Sequence, residues 1–381
     1  MSPAARPRPP LRIVSVRDED TPALASFFRR TWDPDATEER VAKARAAARL
    51  NDICPGLPYP TFAAFAGDEI VGYLSSLPAR FWLGGAIIRG WWAKGLMILP
   101  EFRNGPLGAL LVRQQAKELP VLGSLAVNPP ALRLFAASGL TEAAALFNRL
   151  LLLRPGNVVR RIDPEALNLS GSARGRVIEA ATSPVFRPLA AAGADAAGAF
   201  FRLRHRIGAR GAVGVVGTDL PPGVDRLWER LRREIVAGMV RDRFHFSERY
   251  GDPTSEPYLY VSIGEGSALA GLGVVRAPRV AGDPRLNGIK VAVLSEAVFA
   301  PSDQGSARAL IALAATAAVD AGADALLVSG THRALAAAAR GLGSVGVPPN
   351  VRFLVRVPGA ALPSGPEWGL TRGDGDADST F

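Results

Sequence analysis

Leu96-Met97-Ile98-Leu99-Pro100-Glu101-Phe102-Arg103-Asn104-Gly105-Pro106-Leu107-Gly108-Ala109-Leu110-Leu111 reads as an apolar strand, a tight turn and the opening of a helix. Pro106 suits the first turn of a helix, where its missing N–H costs nothing. Gly105 and Gly108 leave room for another group to approach the backbone. The free amides of that turn and the positive end of the helix dipole make an anion site. Arg103 adds a cation with a planar donor fork. The guest that suits such a bend is a diphosphate. The alternative is a strand-to-helix turn that merely caps itself.

Upstream, residues 11–17 alternate apolar and polar side chains, as a half-buried strand does. A helix follows, capped at Asp20 or Thr21, with Leu24, Phe27, Phe28 and Trp32 on one face. A second helix runs from about Thr37 to Leu50, with Glu38 and Glu39 in its first turn. Strands Thr61–Phe65 and Ile70–Ser75 flank the turn Ala66-Gly67-Asp68-Glu69. Further strands, Ala79–Trp82 and Ala86–Leu99, surround Gly84-Gly85. Downstream come a helix over Pro106–Leu119, a strand over Val121–Val127, a short helix over Pro130–Ser138 and a strand over Phe147–Leu153.

The same order then recurs loosely. A long helical region spans about Ala194–Met239, followed by hairpin-like strands at Tyr258–Ile263 and Gly271–Arg276. A strand at Ile289–Phe299, a helix at Ser306–Ala321, a strand at Ala325–Ser329, a helix at Ala334–Arg340 and a strand at Val351–Val357 complete it. This is a repeat of topology, not of residues. The expected organisation is a disordered lead over 1–10, a domain over 11–160, a linker over 161–185, a second domain over 186–358 and a mostly disordered, acidic tail over 359–381. The fold class is α+β: two tandem domains, each a mixed, mostly antiparallel sheet flanked by helices.

The opening stretch resembles motif A of the GNAT superfamily of acyl-CoA N-acyltransferases: an apolar strand, then Pro-Glu-x-Arg, then a glycine-bearing helix start. Pro100-Glu101-Phe102-Arg103 and Gly108 fit, while Pro106 replaces the first glycine and removes one backbone amide. Ser124-Leu125-Ala126-Val127-Asn128, Ala131, Leu134-Phe135 and Ser138-Gly139-Leu140 resemble motif B. The resemblance implies a tandem GNAT fold that takes acetyl-CoA or another acyl-CoA as co-substrate. It places the pyrophosphate at Arg103, Asn104, Gly105, Leu107, Gly108 and Ala109, and the thioester against the amides of Leu96, Met97 and Ile98. It puts Asn128 beside the pantetheine arm and Phe135 where many members carry the tyrosine that protonates the leaving thiolate. At the equivalent turn of the second half, Ala300-Pro301-Ser302-Asp303-Gln304-Gly305-Ser306-Ala307 has no arginine, and Asp303 repels a phosphate. No CoA is expected there. The ending Trp368-Gly369-Leu370-Thr371-Arg372-Gly373-Asp374-Gly375-Asp376 resembles the tail of some polysaccharide-associated members.

Composition narrows the partners. The chain has 381 residues and a formal net charge of +10, carried almost wholly by arginine. The arginines are spread along the chain and not clustered with aromatics, which argues against a nucleic-acid partner. The single cysteine, Cys54, excludes an internal disulfide and makes the cytoplasm the default compartment. His205, His245 and His332 lack metal-ligand spacing, so no metal is expected. No apolar run reaches the length of a membrane span, about 18 residues or more.

Glu296, a carboxylate inside the apolar strand Val291–Phe299, is the candidate general base for an acceptor amine, against a solvent-facing strand position. Lys94 suits an anionic acceptor or simply snorkels. Tyr250, Tyr258 and Tyr260 are core residues or a source of the missing acid, and His332 reads as structural. The first functional reading is an N-acyltransferase, with acetyl-CoA the expected donor and an amine of a small-molecule or sugar-linked acceptor. Its rivals are a Fem-like transferase using aminoacyl-tRNA, which predicts no CoA affinity, and a catalytically silent acyl-CoA sensor or scaffold.

Overall fold

A computed structural model describes residues 10–49, 59–126, 128–161, 180–208, 214–251, 258–281 and 288–375. Cys54 and residues 1–9 of the expected lead over 1–10 lie outside the described residues. In chain order the strands are β1 (Leu11–Ser15), β2 (Thr61–Ala66), β3 (Glu69–Leu83), β4 (Ala86–Ile98), β5 (Leu122–Ala126), β6 (Thr141–Leu152), β7 (Gly214–Gly217), β8 (Ala237–Met239), β9 (Tyr258–Ile263), β10 (Gly271–Val280), β11 (Lys290–Phe299), β12 (Ala325–Gly330), β13 (Val345–Arg356) and β14 (Trp368–Gly369). The helices are α1 (Thr21–Thr31), α2 (Glu38–Arg49), α3 (Leu107–Glu118), α4 (Pro129–Ala137), α5 (Pro155–Arg161), α6 (Arg187–Gly208), α7 (Val224–Leu231), α8 (Arg243–Tyr250), α9 (Gln304–Asp320) and α10 (Arg333–Gly341). No described helix is long and apolar enough to cross a membrane.

The chain forms two compact units that interleave in sequence: one of Met1–Phe81, Ile87–Ala143 and Arg352–Leu362, the other of Trp82–Ala86, Ala144–Val351 and Pro363–Phe381. In the first unit the strand order is β1-β2-β3-β4-β5-β13. β1, β2 and β3 are antiparallel neighbours. β4 and β5 run parallel, joined through α3, as a parallel crossover needs. Residues Arg352–Arg356 of β13 close the sheet, antiparallel to β5. Leu24, Phe27, Phe62, Leu74, Leu107 and Leu111 pack the core between sheet and helices.

The second unit repeats this plan. β9, β10 and β11 are antiparallel neighbours, and β11 runs parallel to β12 across α9. β6 then lies antiparallel to β12. α9 is alanine-rich and buries ten of its residues, so it sits close against its sheet.

Four expectations change. The sequence-contiguous domains over 11–160 and 186–358 give way to interleaved units, because the last strand of each half joins the other unit's sheet. The region 194–239 is not one helix: α6 ends at Gly208, and α7 starts only after Pro221-Pro222 and Gly223, since proline cannot continue a helix. Of the expected linker over 161–185, Arg161 ends α5, residues 180–182 are helical, and residues 162–179 lie outside the described residues. The tail is ordered through residue 375, with Trp368, Leu370, Arg372 and Asp374 buried.

Candidate functional site

In the first unit the parallel ladder of β4 and β5 pairs, among the described residues, Trp91 with Leu122 and Trp92 with Gly123. Beyond them no described residue of either strand has a ladder partner in the other. β5 turns its other edge to β13. β4 continues as Lys94 to Ile98, half-exposed although the strand is internal to its sheet. Gly95 adopts φ +66° inside this stretch, a conformation that L side chains avoid and that marks a bulge. The result is a slot between parted parallel strands, with Leu96, Met97 and Ile98 on one wall.

The slot opens toward the first turn of α3. A short 3-10 turn over Pro100–Phe102 leads into it. Pro106 stands at the cap position rather than inside the helix, and no side chain caps this end. The first backbone bond of the helix runs from Leu110 N–H to the Pro106 carbonyl at 3.0 Å. The amides of Leu107, Gly108 and Ala109 therefore have no acceptor within the helix. The first turn carries no acidic residue, so an anion is the natural partner.

Arg103 stands beside this turn. Its Nε donates to the Ile98 carbonyl at 2.9 Å, fixing the guanidinium against the end of β4. Glu101 is turned away, paired with Arg30 at 2.7 Å. Asn104 and Gly105 are exposed. A Cβ on Gly105 would meet only the Phe102 carbonyl, at 3.6 Å. On Gly108 it would meet Ile98 Cδ1 and Leu134 Cδ1, both at 3.1 Å. The space at Gly108 is thus taken by two methyl groups, and the approach lies at Gly105 and the exposed Ala109.

Asn128 caps α4, its Oδ1 accepting the Ala131 amide at 2.8 Å. Phe135 is buried in the core of the unit. It offers no hydroxyl to the slot. Tyr73 lies on β3 beside Gly95, 3.6 Å from where a Cβ would stand. Phe28, Trp32 and Tyr73 form an aromatic group there, with Phe28 and Trp32 stacked at 4.3 Å. Phe28 and Trp32 share one helix face, as their four-residue spacing predicts, while Tyr73 approaches from a different element, β3.

The second unit closes the matching positions. Its helix α9 is capped by its own carboxylate: Asp303 Oδ1 accepts the Ser306 amide at 2.9 Å, and Oδ2 accepts the Ser306 hydroxyl at 2.6 Å. Its parallel strands β11 and β12 pair through Leu294 and Val328. Beyond that, the chain's C-terminal segment fills the gap. Gly373 N–H donates to the Ser295 carbonyl of β11 at 2.7 Å, while Thr371 bridges Gly330 of β12. Gly373 has no side chain for a reason: a Cβ there would stand 2.7 Å from the Ser295 oxygen.

Glu296 sits at the root of this plug, fully buried. Its Oε2 accepts from Arg241 Nε at 2.9 Å and from the Thr371 hydroxyl at 2.8 Å. Its Oε1 accepts from Tyr250 OH at 3.0 Å and lies 3.1 Å from His245 Nε2. Burial alone raises a carboxyl's pKa, but Arg241 and then His245 hold Glu296 well below the usual range. The expected base is therefore an ionised anchor with every lone-pair direction used, and no acceptor amine can reach it. His245, Glu296 and Asp374 bring ligand atoms within 4.8 Å of one another, but Arg241 donates to both carboxylates and supplies the positive charge itself. Tyr250 and Tyr260 pack in the core of this unit, with Tyr258 packed against it. His332 caps α10, its Nδ1 accepting the Ala334 amide at 3.2 Å, and burial lowers its pKa.

No family model matches the sequence, and no curated protein matches it. Solved structures do match the fold. The Saccharomyces cerevisiae N-myristoyltransferase with bound myristoyl-CoA aligns at TM-score 0.56 and 12% identity, over 99% of this chain and 85% of that one. A GCN5-related N-acetyltransferase from Anabaena variabilis aligns at 0.54 and 11%, over 91% and 73%. Another from Kribbella flavida aligns at 0.52 and 13%, over 91% and 71%. The chain has the GCN5-related N-acetyltransferase fold. It carries that fold in tandem.

Proposed function

We propose that this protein is an N-acyltransferase that takes its acyl group from an acyl-CoA, bound in the first unit. One observation carries the reading: the slot between parted strands β4 and β5 opens onto an uncapped helix start beside Arg103. A thioester arm suits the slot, and a pyrophosphate suits the amides of Leu107, Gly108 and Ala109 with Arg103. The two structural neighbours described as GCN5-related N-acetyltransferases and the one with bound myristoyl-CoA support this donor class.

In the reaction, an acceptor amine attacks the thioester carbonyl, the C–S bond breaks, and the thiolate leaves with its electron pair. The nitrogen's proton passes to water or to the thiolate. Held amides near Leu96–Ile98 polarise the carbonyl oxygen, and holding both partners supplies proximity. The acceptor is a small-molecule or sugar-linked amine, and acetyl-CoA is the proposed donor within the acyl-CoA class; the compartment is the cytoplasm.

The buried Phe135 favours a second reading, a silent acyl-CoA sensor, because a phenyl ring at this position has no hydroxyl to protonate the thiolate. Titration calorimetry with acetyl-CoA and longer acyl-CoAs tests the donor. Thiol release with a panel of amines then separates transferase from sensor. Absence of any acyl-CoA affinity sinks both and leaves the aminoacyl-tRNA reading.

A further inference from the structure

Residues 370–373 fill the gap between β11 and β12 in the second unit, just after β14 pairs with β8. Backbone bonds tie this segment to β11 and to the end of β12. Gly373 N–H donates to the Ser295 carbonyl at 2.7 Å, and Thr331 N–H donates to the Leu370 carbonyl at 3.0 Å. The Thr331 hydroxyl accepts the Leu370 amide at 3.0 Å. Arg372 is fully buried, with its Nη1 3.5 Å from Oδ1 of Asn148 and of Asn350. Asp374 carries the segment into a buried cluster of charge.

That cluster sets two carboxylates against one guanidinium. Arg241 Nε donates to Glu296 Oε2 at 2.9 Å, and its Nη2 donates to Asp374 Oδ2 at 2.8 Å. The hydroxyls of Tyr250 and Thr371 both donate to Glu296. Asp374 Oδ2 accepts the Thr371 amide at 2.8 Å. Asp374 Oδ1 is buried and has no hydrogen-bond partner among the described residues. Two carboxylates that share one cation compete for it, and the one with fewer donors keeps its proton longer. That one is Asp374: burial pushes it up to about 6, with Glu296 adding to the rise and Arg241 opposing it. The charged and titratable groups around it are Arg241 from the segment after β8, His245 and Tyr250 from α8, and Glu296 from β11.

A released segment returns Asp374 to water, where its carboxyl has the ordinary value of 3.8. Between that value and about 6 the docked segment holds a proton that the released one gives up, so rising pH favours release. Glu296 does not offset this. On release it keeps Arg241 and Tyr250, which belong to other elements, and stays ionised.

We propose that residues 368–374 form a proton-controlled latch, docked while Asp374 is protonated and opening locally, ahead of global unfolding, once it ionises. Opening frees the Ser295 carbonyl and the N–H and hydroxyl of Thr331, and vacates the gap they border. The latch belongs to the second unit and does not depend on acyl-CoA binding by the first.

Arg372 supplies the readout. Trypsin cuts after arginine, and a fully buried Arg372 is cut only in an open state. The full chain is digested briefly at a series of pH values, and release of residues 373–381 is followed by mass spectrometry. Each rate is divided by that of a synthetic peptide carrying the same cleavage site under the same conditions. The normalised rate should rise about ten-fold from about pH 5 to about pH 7. Asp374→Asn, neutral at every pH, should lose that rise. Arg276, buried in β10, reports global opening in the same digest. Its normalised cleavage should be slower than that of Arg372 by about ten-fold or more at every pH. A flat wild-type profile, a rise that survives in Asp374→Asn, or equal rates at the two arginines overturns the latch. The wild-type profile and the comparison of the two arginines need no variant, so they decide the matter even where Asp374→Asn does not fold.

Discussion

Asp303 Oδ1 accepts the amide of Ser306 at 2.9 Å, so the first turn of α9 supplies its own anion. The matching turn of α3 has none. The two helix starts differ in this carboxylate, which sits where an anion would meet the start of α9. Asp303→Ala removes a cap and should cost about 1 kcal/mol. It should not create acyl-CoA affinity in a chain whose first site is disabled, because the C-terminal segment still fills the gap between β11 and β12. Urea unfolding reads the first outcome and calorimetry the second; acyl-CoA binding by such a variant would show that the plug is no barrier.

Arg103→Ala should weaken acetyl-CoA binding by about ten-fold or more, the loss of one charge-assisted contact. Stability should change by only about 1 kcal/mol, since the side chain is exposed and gives up one bond to the Ile98 carbonyl. An unchanged dissociation constant counts against the site at the start of α3.

Glu296→Gln leaves Arg241 buried with one partner charge fewer. Breaking a buried pair in this way costs about 3–5 kcal/mol. The expected signature is a large drop in the urea midpoint. A variant of wild-type stability with a collapsed turnover rate would instead restore Glu296 as a base.

The pH dependence has a definite sign. Burial pushes Asp374 up to about 6 from its ordinary 3.8, with Glu296 adding to the rise and Arg241 opposing it. Between those values the folded chain holds a proton that the unfolded chain releases, so this carboxyl's contribution to stability falls as pH rises through the window. Glu296, held low, works the other way: its contribution is present above its unfolded value and is lost on acidification. The stability of the wild type relative to Asp374→Asn should therefore decline as pH is raised from about 4 to about 7. A difference that stays flat across that range would contradict the assignment.

Asn128→Ala should cost about 1 kcal/mol through the lost cap on α4. If Asn128 also meets the pantetheine arm, acetyl-CoA binding weakens beyond what Asn128→Ser, which keeps a capping oxygen, shows. Equal affinities for the two variants would leave Asn128 a cap alone.

The aromatic group at the slot shows how far local sequence carries. Phe28 and Trp32 were legible as one helix face, since three and four residues bring side chains together on a helix. Tyr73 was not, because it belongs to a strand more than forty positions away whose approach is set by sheet register. Arg356 is the same case: it clamps the end of α3 from 237 positions downstream, and nothing near it in sequence announces the partner.

The amino-acid order by itself determined the strand, turn and helix from Leu96 to Leu111, the free helix start with Arg103, the repeated order of elements and the acid at Asp303. These are short-range matters: periodicity, proline and glycine geometry, and which residue stands at a cap. Tertiary structure alone decided that β6 completes the sheet of the second unit and Arg352–Arg356 of β13 that of the first, that residues 370–373 plug the second gap, and that Glu296 is an anchor. Strands with both faces apolar look alike in sequence, so only the packing of whole faces selects their neighbours. A buried carboxylate looks the same on the page whether its surroundings leave it open or close it with donors, and those donors came from α8, the segment after β8 and the C-terminal segment.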